Sequence, residues 1–260
     1  MSGLAPGQPD KIVPGNAPTL PHRQQARPRQ ARDAATPQNG IDSLTKASFT
    51  TAEEPAASGN PPRIGVLALQ GDYAAHAAAL AQAGATPYLV KTAADLRLDG
   101  PSSLDGLVLP GGESSTMLKF LESRGLFSPL EEFCGKRPVF GTCAGAILLA
   151  REVRNPAQRS LGVLDAVVER NAYGRQIDSS IVTAPTELPG DPLEMVFIRA
   201  PRILEIGPEV EALAQRDGFP TLVRQRSVLA ATFHPELSAD RRVHRLFIEM
   251  VTQAPAAASN

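Results

Sequence analysis

The segment Gly141-Thr142-Cys143-Ala144-Gly145 lies directly behind a short apolar run, Pro138-Val139-Phe140, and directly ahead of a helix-like run, Ala146-Ile147-Leu148-Leu149-Ala150. A strand that turns sharply into a helix leaves its corner residue exposed and strained, and glycines two positions either side let neighbouring backbone approach it closely. A cysteine at that corner has its sulfur near a helix N-terminus, where unpaired N–H groups and the dipole favour thiolate over thiol. Cys143 is therefore the first candidate nucleophile. The same five residues also fit an inert, tightly packed corner, because free cysteine is among the most buried residue types. A general base and a group that orients it decide between the two.

Working outward, Ile64-Gly65-Val66-Leu67-Ala68-Leu69 reads as a buried strand and Tyr73 to Ala83 as an alanine-rich helix closed by Gly84. Leu89-Val90 and Leu104 to Leu109 read as strands, and Ser115 to Leu121 begins another helix. The second half is more β-like, with strands predicted at Gly162 to Glu169, Met195 to Arg199, Thr221 to Gln225 and Val228 to Phe233. A last helix is predicted from about Asp240 to Val251. Strands alternating with helices predict an α/β fold, a central and mostly parallel sheet covered by helices on both faces. One domain over residues 63 to 252 accounts for these elements.

Residues 1 to 62 have a different composition, rich in Pro, Ala, Gln, Ser and Thr and poor in large apolar side chains. Such a segment cannot bury enough apolar surface to offset its ordering entropy, so a disordered extension is expected, and a short disordered tail over residues 253 to 260. Arg23, Arg27, Arg29 and Arg32 would suit a transit peptide, but Asp10, Asp33, Asp42, Glu53 and Glu54 argue against one. A solvated tail, or a start codon placed too far upstream, remains. Over the whole chain the net charge of -1 gives no electrostatic case for nucleic acid or an anionic membrane as partner. No apolar stretch approaches the roughly 20 residues that cross a bilayer. Two cysteines, Cys134 and Cys143, are too few for a disulfide framework and read as thiols in a reducing, cytoplasmic compartment, with a bridge between them left open.

The base is sought among four histidines, of which His22 lies in the N-terminal extension. The strand ending at Phe233 runs into His234-Pro235-Glu236. A residue before proline is extended, and residues two apart in extended chain face the same way, so His234 and Glu236 can present their side chains together. A glutamate behind a histidine fixes the ring tautomer and stabilises the imidazolium formed when a thiol gives up its proton. The rivals His76 and His244 sit in helical patterns without an adjacent acid. A thiolate attacking a carbonyl also needs donors for the oxyanion. The N–H of Ala144 is one source, and the N–H of Gly111 or Gly112 in Leu109-Pro110-Gly111-Gly112-Glu113-Ser114 is the other, with Ser114 or Ser115 an ordinary helix N-cap.

Gly-Thr-Cys-Ala-Gly with an earlier Pro-Gly-Gly and a distant His-Pro-Glu resembles the class I, triad-type glutamine amidotransferases, whose fold is flavodoxin-like. Leu69-Gln70-Gly71, Leu109 to Ser114, Val168 to Gln176 with Arg170-Asn171-Ala172-Tyr173-Gly174-Arg175-Gln176, Phe197-Ile198-Arg199-Ala200-Pro201 and Phe233 to Leu237 make the match finer. Together they resemble the glutaminase subunits of pyridoxal phosphate synthase, from about Arg63 to Val251.

The resemblance implies hydrolysis of L-glutamine to glutamate and ammonia through a thioester on Cys143, with His234 as base and acid and Glu236 orienting it. It implies that Gly112, Glu113, Ser114, Arg170, Ile198 and Arg199 contact glutamine. It further implies that ammonia passes to a (β/α)8-barrel synthase subunit that makes pyridoxal 5'-phosphate, that this chain holds no cofactor or metal itself, and that Gln70-Gly71-Asp72 lies near the oxyanion hole and the partner. By themselves, Arg170 and Arg199 read equally as surface ion pairs, Glu113 as a helix-N-terminal acid and Asp72 as an N-cap. Other functions fitting the same pieces are the glutaminase of another amidotransferase, such as imidazole glycerol phosphate synthase, a γ-glutamyl peptidase on the same fold, and a non-catalytic regulatory subunit.

Overall fold

The structure, a computed structural model, describes residues 60–172 and 179–254. The expected N-terminal extension up to residue 59, the tail from residue 255, and Tyr173 to Gln176 of the Arg170 block lie outside the described residues. The first unit is β1 (Arg63–Leu67), α1 (Tyr73–Gln82), β2 (Thr86–Val90) and, after a connection, β3 (Gly106–Leu109). Then come α2 (Ser114–Ser123), α3 (Phe127–Cys134), β4 (Val139–Thr142) and the short α4 (Ala144–Leu149). Alanine, the best helix former, fills much of α1, and its end is made by Gly84 at φ +100°, with Ala85 N–H donating to Leu80 O.

The remaining strands are β5 (Ala150–Arg154), β6 (Leu164–Glu169), β7 (Ser179–Ala184), β8 (Leu193–Ile198), β9 (Arg202–Ile206), β10 (Glu211–Arg216), β11 (Phe219–Gln225) and β12 (Val228–Ala231), before α5 (Arg242–Gln253). The main sheet has seven strands in the order β10-β11-β12-β4-β3-β1-β2. From β12 to β2 every pairing is parallel, whereas β10 and β11 add an antiparallel edge. The expected α/β architecture is therefore present, with two smaller sheets, β5-β6-β9 and the β7-β8 hairpin, added to it.

The central strands are buried on both faces, and alternate residues enter different cores. Leu107, Leu109, Val139, Val228 and Ala230 join the core formed with α2, α3 and α4. Ile64, Val66, Val108, Phe140, Leu229 and Ala231 join the core formed with α1, α5 and β8. Helix α5 enters that second core through Val243, Phe247 and Val251, spaced four apart on one face. Each such side chain contributes roughly 1.5–3 kcal/mol by burial. Among the described residues, no helix is long and apolar enough to cross a membrane.

Several elements differ from the sequence reading. Ala150, read as helix, opens β5, while α3, β5, β7, β9 and β10 were not predicted. The N-cap of α2 is Glu113 rather than Ser114 or Ser115, its carboxylate accepting from Ser115 N–H and Thr116 N–H.

Candidate active site

Four neighbouring strands of the main sheet, β12, β4, β3 and β1, each end in a loop on the same carboxyl edge. Those loops carry His234 and Glu236, Cys143, Gly111 to Ser114, and Gly71 with Asp72. The carboxyl edge of an open parallel sheet is where such folds bind ligands.

Cys143 occupies the corner between β4 and α4 at φ 47°, ψ -104°. A non-glycine residue there costs on the order of 1–3 kcal/mol and persists only where its surroundings over-determine it. Here the backbone is pinned, since Cys143 N–H donates to Ala231 O at 2.8 Å and Cys143 O accepts from Ile147 N–H at 3.2 Å. The flanking glycines have the expected purpose. A Cβ on Gly145 would lie 2.0 Å from Leu109 O, and one on Gly141 would lie 2.6 Å from Gly145 C, so only glycine lets α4 and β3 approach the corner this closely. Both cysteines are free. Burial pushes the Cys134 thiol up to about 12, which leaves it protonated and inert.

His234 and Glu236 do meet, Nδ1 to Oε1 at 2.7 Å. Their geometry is a single 3-10 turn at Pro235–Leu237 rather than the extended chain that the sequence suggested. His234 is held from behind as well, its N–H donating to Val196 O at 2.8 Å, with Phe197 and Phe233 packed 5.8 Å apart beside it. Burial opposes a charge on His234, yet the hydrogen bonds it donates to Cys143 and Glu236, and their charge, outweigh it and raise its pKa to about 10. His234 is thereby favoured as the imidazolium, next to Cys143.

Asp72 Oδ2, from the loop after β1, lies 3.6 Å from the same Nδ1. One donor atom from each of Asp72, His234 and Glu236 lies within 4.8 Å of the others. The 2.7 Å His234–Glu236 contact is that of a hydrogen bond, which a cation would have to displace.

A cleft of about 350 Å³ opens over Cys143 and His234. Its lining includes Gly112, Glu113, Ser114, Arg170, Ile198 and Arg199, all six of the residues expected to contact glutamine, together with Gly71, Asp72, Asn171 and Ile147. Arg170 Nη2 reaches Glu113 Oε1 at 3.3 Å and Ser115 Oγ at 3.1 Å. Burial would raise the Glu113 carboxyl, but the donors on Ser115 and Thr116 outweigh it and bring it down to about 2, so it is ionised. Glu113 thus caps a helix, as its chemistry alone allowed, and also faces the cleft. Ser114 Oγ bonds Gln158 Oε1 at 3.1 Å, and Arg199 stands at φ 44° just past β8.

Of the expected oxyanion donors, Gly111 sits against both reacting side chains, a Cβ there falling 2.3 Å from His234 Cε1 and 3.3 Å from Cys143 Cβ. Gly112 lines the cleft, and Ala144 is the first residue of α4, whose N–H has no carbonyl to reach within the helix. The two supporting loops interlock. A Cβ on Gly71 would strike Gly111 O at 1.8 Å, and Gln70 Nε2 donates to Glu113 O at 3.1 Å.

The sequence did not reveal what lies behind Glu236. His76 of α1 and His244 of α5, set aside as lacking an acid, are both fully buried, His76 against it and His244 against His76. His76 Nε2 is 3.2 Å from Glu236 Oε2 and 2.9 Å from Thr142 Oγ1, and His76 Nδ1 is 3.2 Å from His244 Nε2. No local signal could have found this, because the acid arrives from a distant segment.

Burial, then His244 and His234, hold the pKa of His76 well below 6.5. Burial, then Arg241, lowers that of His244 to about 4. Unfolded, each takes up a proton near pH 6.5 that the folded protein refuses. Their contribution is complete above that pH and lost as pH falls toward the folded values. For His244 alone the loss is about 2 kcal/mol by pH 5 and on the order of 3 kcal/mol at its limit. His244→Gln, which keeps a donor toward His76 but does not titrate, is expected to lose less stability between pH 7 and pH 5 than the unchanged protein. Urea unfolding at the two pH values measures it, and equal losses would contradict the assignment.

A cysteine at a strained strand-to-helix corner, a histidine and a buried glutamate, all at the carboxyl ends of adjacent parallel strands, define the class as that of the triad-type amidotransferases. The chain belongs to the SNO glutamine amidotransferase family, which it matches over residues 66–253. It is 58% identical over 189 residues to a pyridoxal 5'-phosphate synthase subunit PdxT of Koribacter versatilis, covering 73% of this chain and 95% of that one. It is 52% identical over 197 residues to the subunit of the same name from Solibacter usitatus, covering 72% and 97%. A crystal structure of a glutamine amidotransferase, 44% identical, superimposes with a TM-score of 0.65 over 73% of this chain and 98% of its own.

Proposed function

We propose that this chain hydrolyses L-glutamine to L-glutamate and ammonia through a thioester on Cys143, and that the ammonia serves pyridoxal 5'-phosphate synthesis on a (β/α)8-barrel synthase subunit. The observation that carries the reading is Cys143 and His234 lining a cleft whose walls hold two arginines, with Glu236 buried behind His234 and bonded to it. The name of the relatives, synthase subunits, supports the partner.

In this reading the Cys143 thiolate attacks the side-chain amide carbon of glutamine, and the oxyanion faces N–H groups of Gly111 or Gly112 and of Ala144. Collapse breaks the C–N bond, and His234 gives its proton to the departing ammonia. A water then loses a proton to His234 and attacks the thioester, and expulsion of the Cys143 sulfur restores the starting state with glutamic acid bound, whose new carboxyl gives its proton to solvent as glutamate leaves. Arg170, steadied by Glu113 and Ser115, and Arg199 are the cations for the α-carboxylate. Gly112, Glu113, Ser114 and Ile198 complete the wall around the substrate. The Gln70-Gly71-Asp72 loop, interlocked with Gly111, is where docking of the synthase subunit would be felt by the oxyanion donors. Two unbridged thiols suit a cytoplasmic setting.

The test is ammonia release from glutamine by the chain alone, with the pyridoxal phosphate synthase barrel, and with the synthase partner of another amidotransferase. Strong stimulation by the first barrel only is expected. A preference for γ-glutamyl peptides over glutamine would sink the assignment.

A further inference from the structure

The carboxylate of Glu236 has a different neighbour on each side. Oε1 takes His234 Nδ1, while Oε2 is buried without a hydrogen-bond partner, His76 Nε2 standing 3.2 Å from it. That nitrogen lies closer still to Thr142 Oγ1, the residue immediately before Cys143, at 2.9 Å. An unprotonated Nε2 would set a lone pair against a carboxylate oxygen, so the carboxylate selects the tautomer with hydrogen on Nε2, which is donated to Thr142 Oγ1 with Glu236 Oε2 alongside it. His76 Nδ1 is then an acceptor, and His244 Nε2–H donates to it. The chain of rings ends at His244 Nδ1, which has no partner. Phe140, edge-on to both rings at 6.1 and 6.0 Å, seals them from one side.

We infer that His76 is a positioning residue for glutamine hydrolysis, whose Nε2–H fixes the far oxygen of Glu236 and, through Thr142, the strand end that presents Cys143. A carboxylate free to turn about its last bond can leave His234, and His234 then loses both its tautomer and part of its attraction for a proton. With Oε2 pinned, Oε1 stays on Nδ1. The placement of α1 makes this possible, since that helix packs against both the Pro235–Leu237 turn and α5. The inference rests on the Cys143–His234–Glu236 reading above.

The groups facing His234 are Cys143, Glu236 and, from the loop after β1, Asp72. Those facing His76 are Glu236, Thr142 and His244, with Arg241 acting on the last. Glu236 raises the pKa of His234, so loosening it lowers that pKa. The imidazolium that must protonate ammonia is then lost at a lower pH, and the alkaline limb of kcat/KM moves down.

The experiment compares His76→Gln, His76→Asn and His76→Met in the presence of the synthase subunit. A glutamine amide nitrogen reaches the place of Nε2, an asparagine amide reaches only that of Nδ1, and methionine fills the volume without a donor. Expected is a fall in kcat for Asn and Met of roughly tenfold up to the ~10²-fold that a misplacement of about 1 Å costs, with KM little changed. Their alkaline limb shifts in the direction expected of Glu236→Gln, measured alongside them, by less, and Gln recovers most of both.

Thermal unfolding separates loss of fold from loss of positioning. If Asn does not fold, the Met and Gln pair reads the same difference. Full activity in Met, or equal losses in Gln and Met with an unmoved alkaline limb, would overturn the inference. Absence of ammonia release from the unchanged protein would instead overturn the triad reading beneath it.

Discussion

Cys143→Ala is expected to lower ammonia release from glutamine by roughly 10⁴- to 10⁶-fold, the scale on which a triad fails when its central members are removed. The substitution is a narrow one. Alanine keeps the Cβ and hence the same demand for φ near +47°, and the corner stays pinned by Ala231 O and by Ile147 N–H. The cleft walls at Glu113, Arg170 and Arg199 do not change. Glutamine binding, followed by calorimetry, is therefore expected to survive while turnover vanishes. His234 changes as well: without Cys143 beside it, a main cause of its raised pKa is gone, and burial acts with less opposition. Activity equal to that of the unchanged chain would rule out the thioester route. Loss of glutamine binding along with turnover would show that the sulfur also shapes the cleft.

Gly111→Ala is expected to lose about 10²-fold in kcat with the fold retained. The backbone at Gly111 is not among the left-handed glycines, so alanine meets no conformational penalty there. The obstacle is steric. An added Cβ would stand 2.3 Å from His234 Cε1 and 3.0 Å from Nδ1, closer than such atoms approach. His234 cannot retreat freely, because its ring is tied to Glu236 and its backbone to Val196. Either the ring leaves Cys143 or the Gly111 loop leaves the oxyanion. Both outcomes slow the reaction, and the rate of Cys143 alkylation by a glutamine mimic distinguishes them, since only the first removes the ion pair. Turnover within twofold of the unchanged chain would refute this packing of Gly111.

The central sheet and the Cys143–His234–Glu236 line were legible in the sequence for a common reason. Apolar runs such as Ile64 to Leu67 and Val228 to Ala231 are buried on both faces, and glycine or proline punctuates the strand ends where the chemistry sits. The missed elements lack those marks. β10, Glu211-Ala212-Leu213-Ala214-Gln215-Arg216, has helix-forming residues and is a strand because β11 pairs with it. β7 alternates exposed and half-buried residues and takes its order from β8. α3 is eight residues long with Leu126 as an N-cap that makes no side-chain bond, so it has no sequence start signal. The histidine pair behind Glu236 was invisible because its partners come together only when α1 and α5 close over β4.

The sheet layout also separates two kinds of work. Gly111, Cys143 and His234 follow adjacent strands of the large sheet, whereas Arg170 follows β6 and Ile198 ends β8 with Arg199 just past it, each in one of the smaller sheets. In the proposed reading, recognition and chemistry therefore reside largely on different sheets, which meet where Val196 O of β8 accepts from His234 N–H and where Arg170 reaches Glu113 and Ser115. Substitutions that change which acyl group is admitted can accumulate in the small sheets while the reacting line stays untouched. A selectivity change made at Arg170 or Arg199 should accordingly leave the intrinsic reactivity of Cys143 where it was.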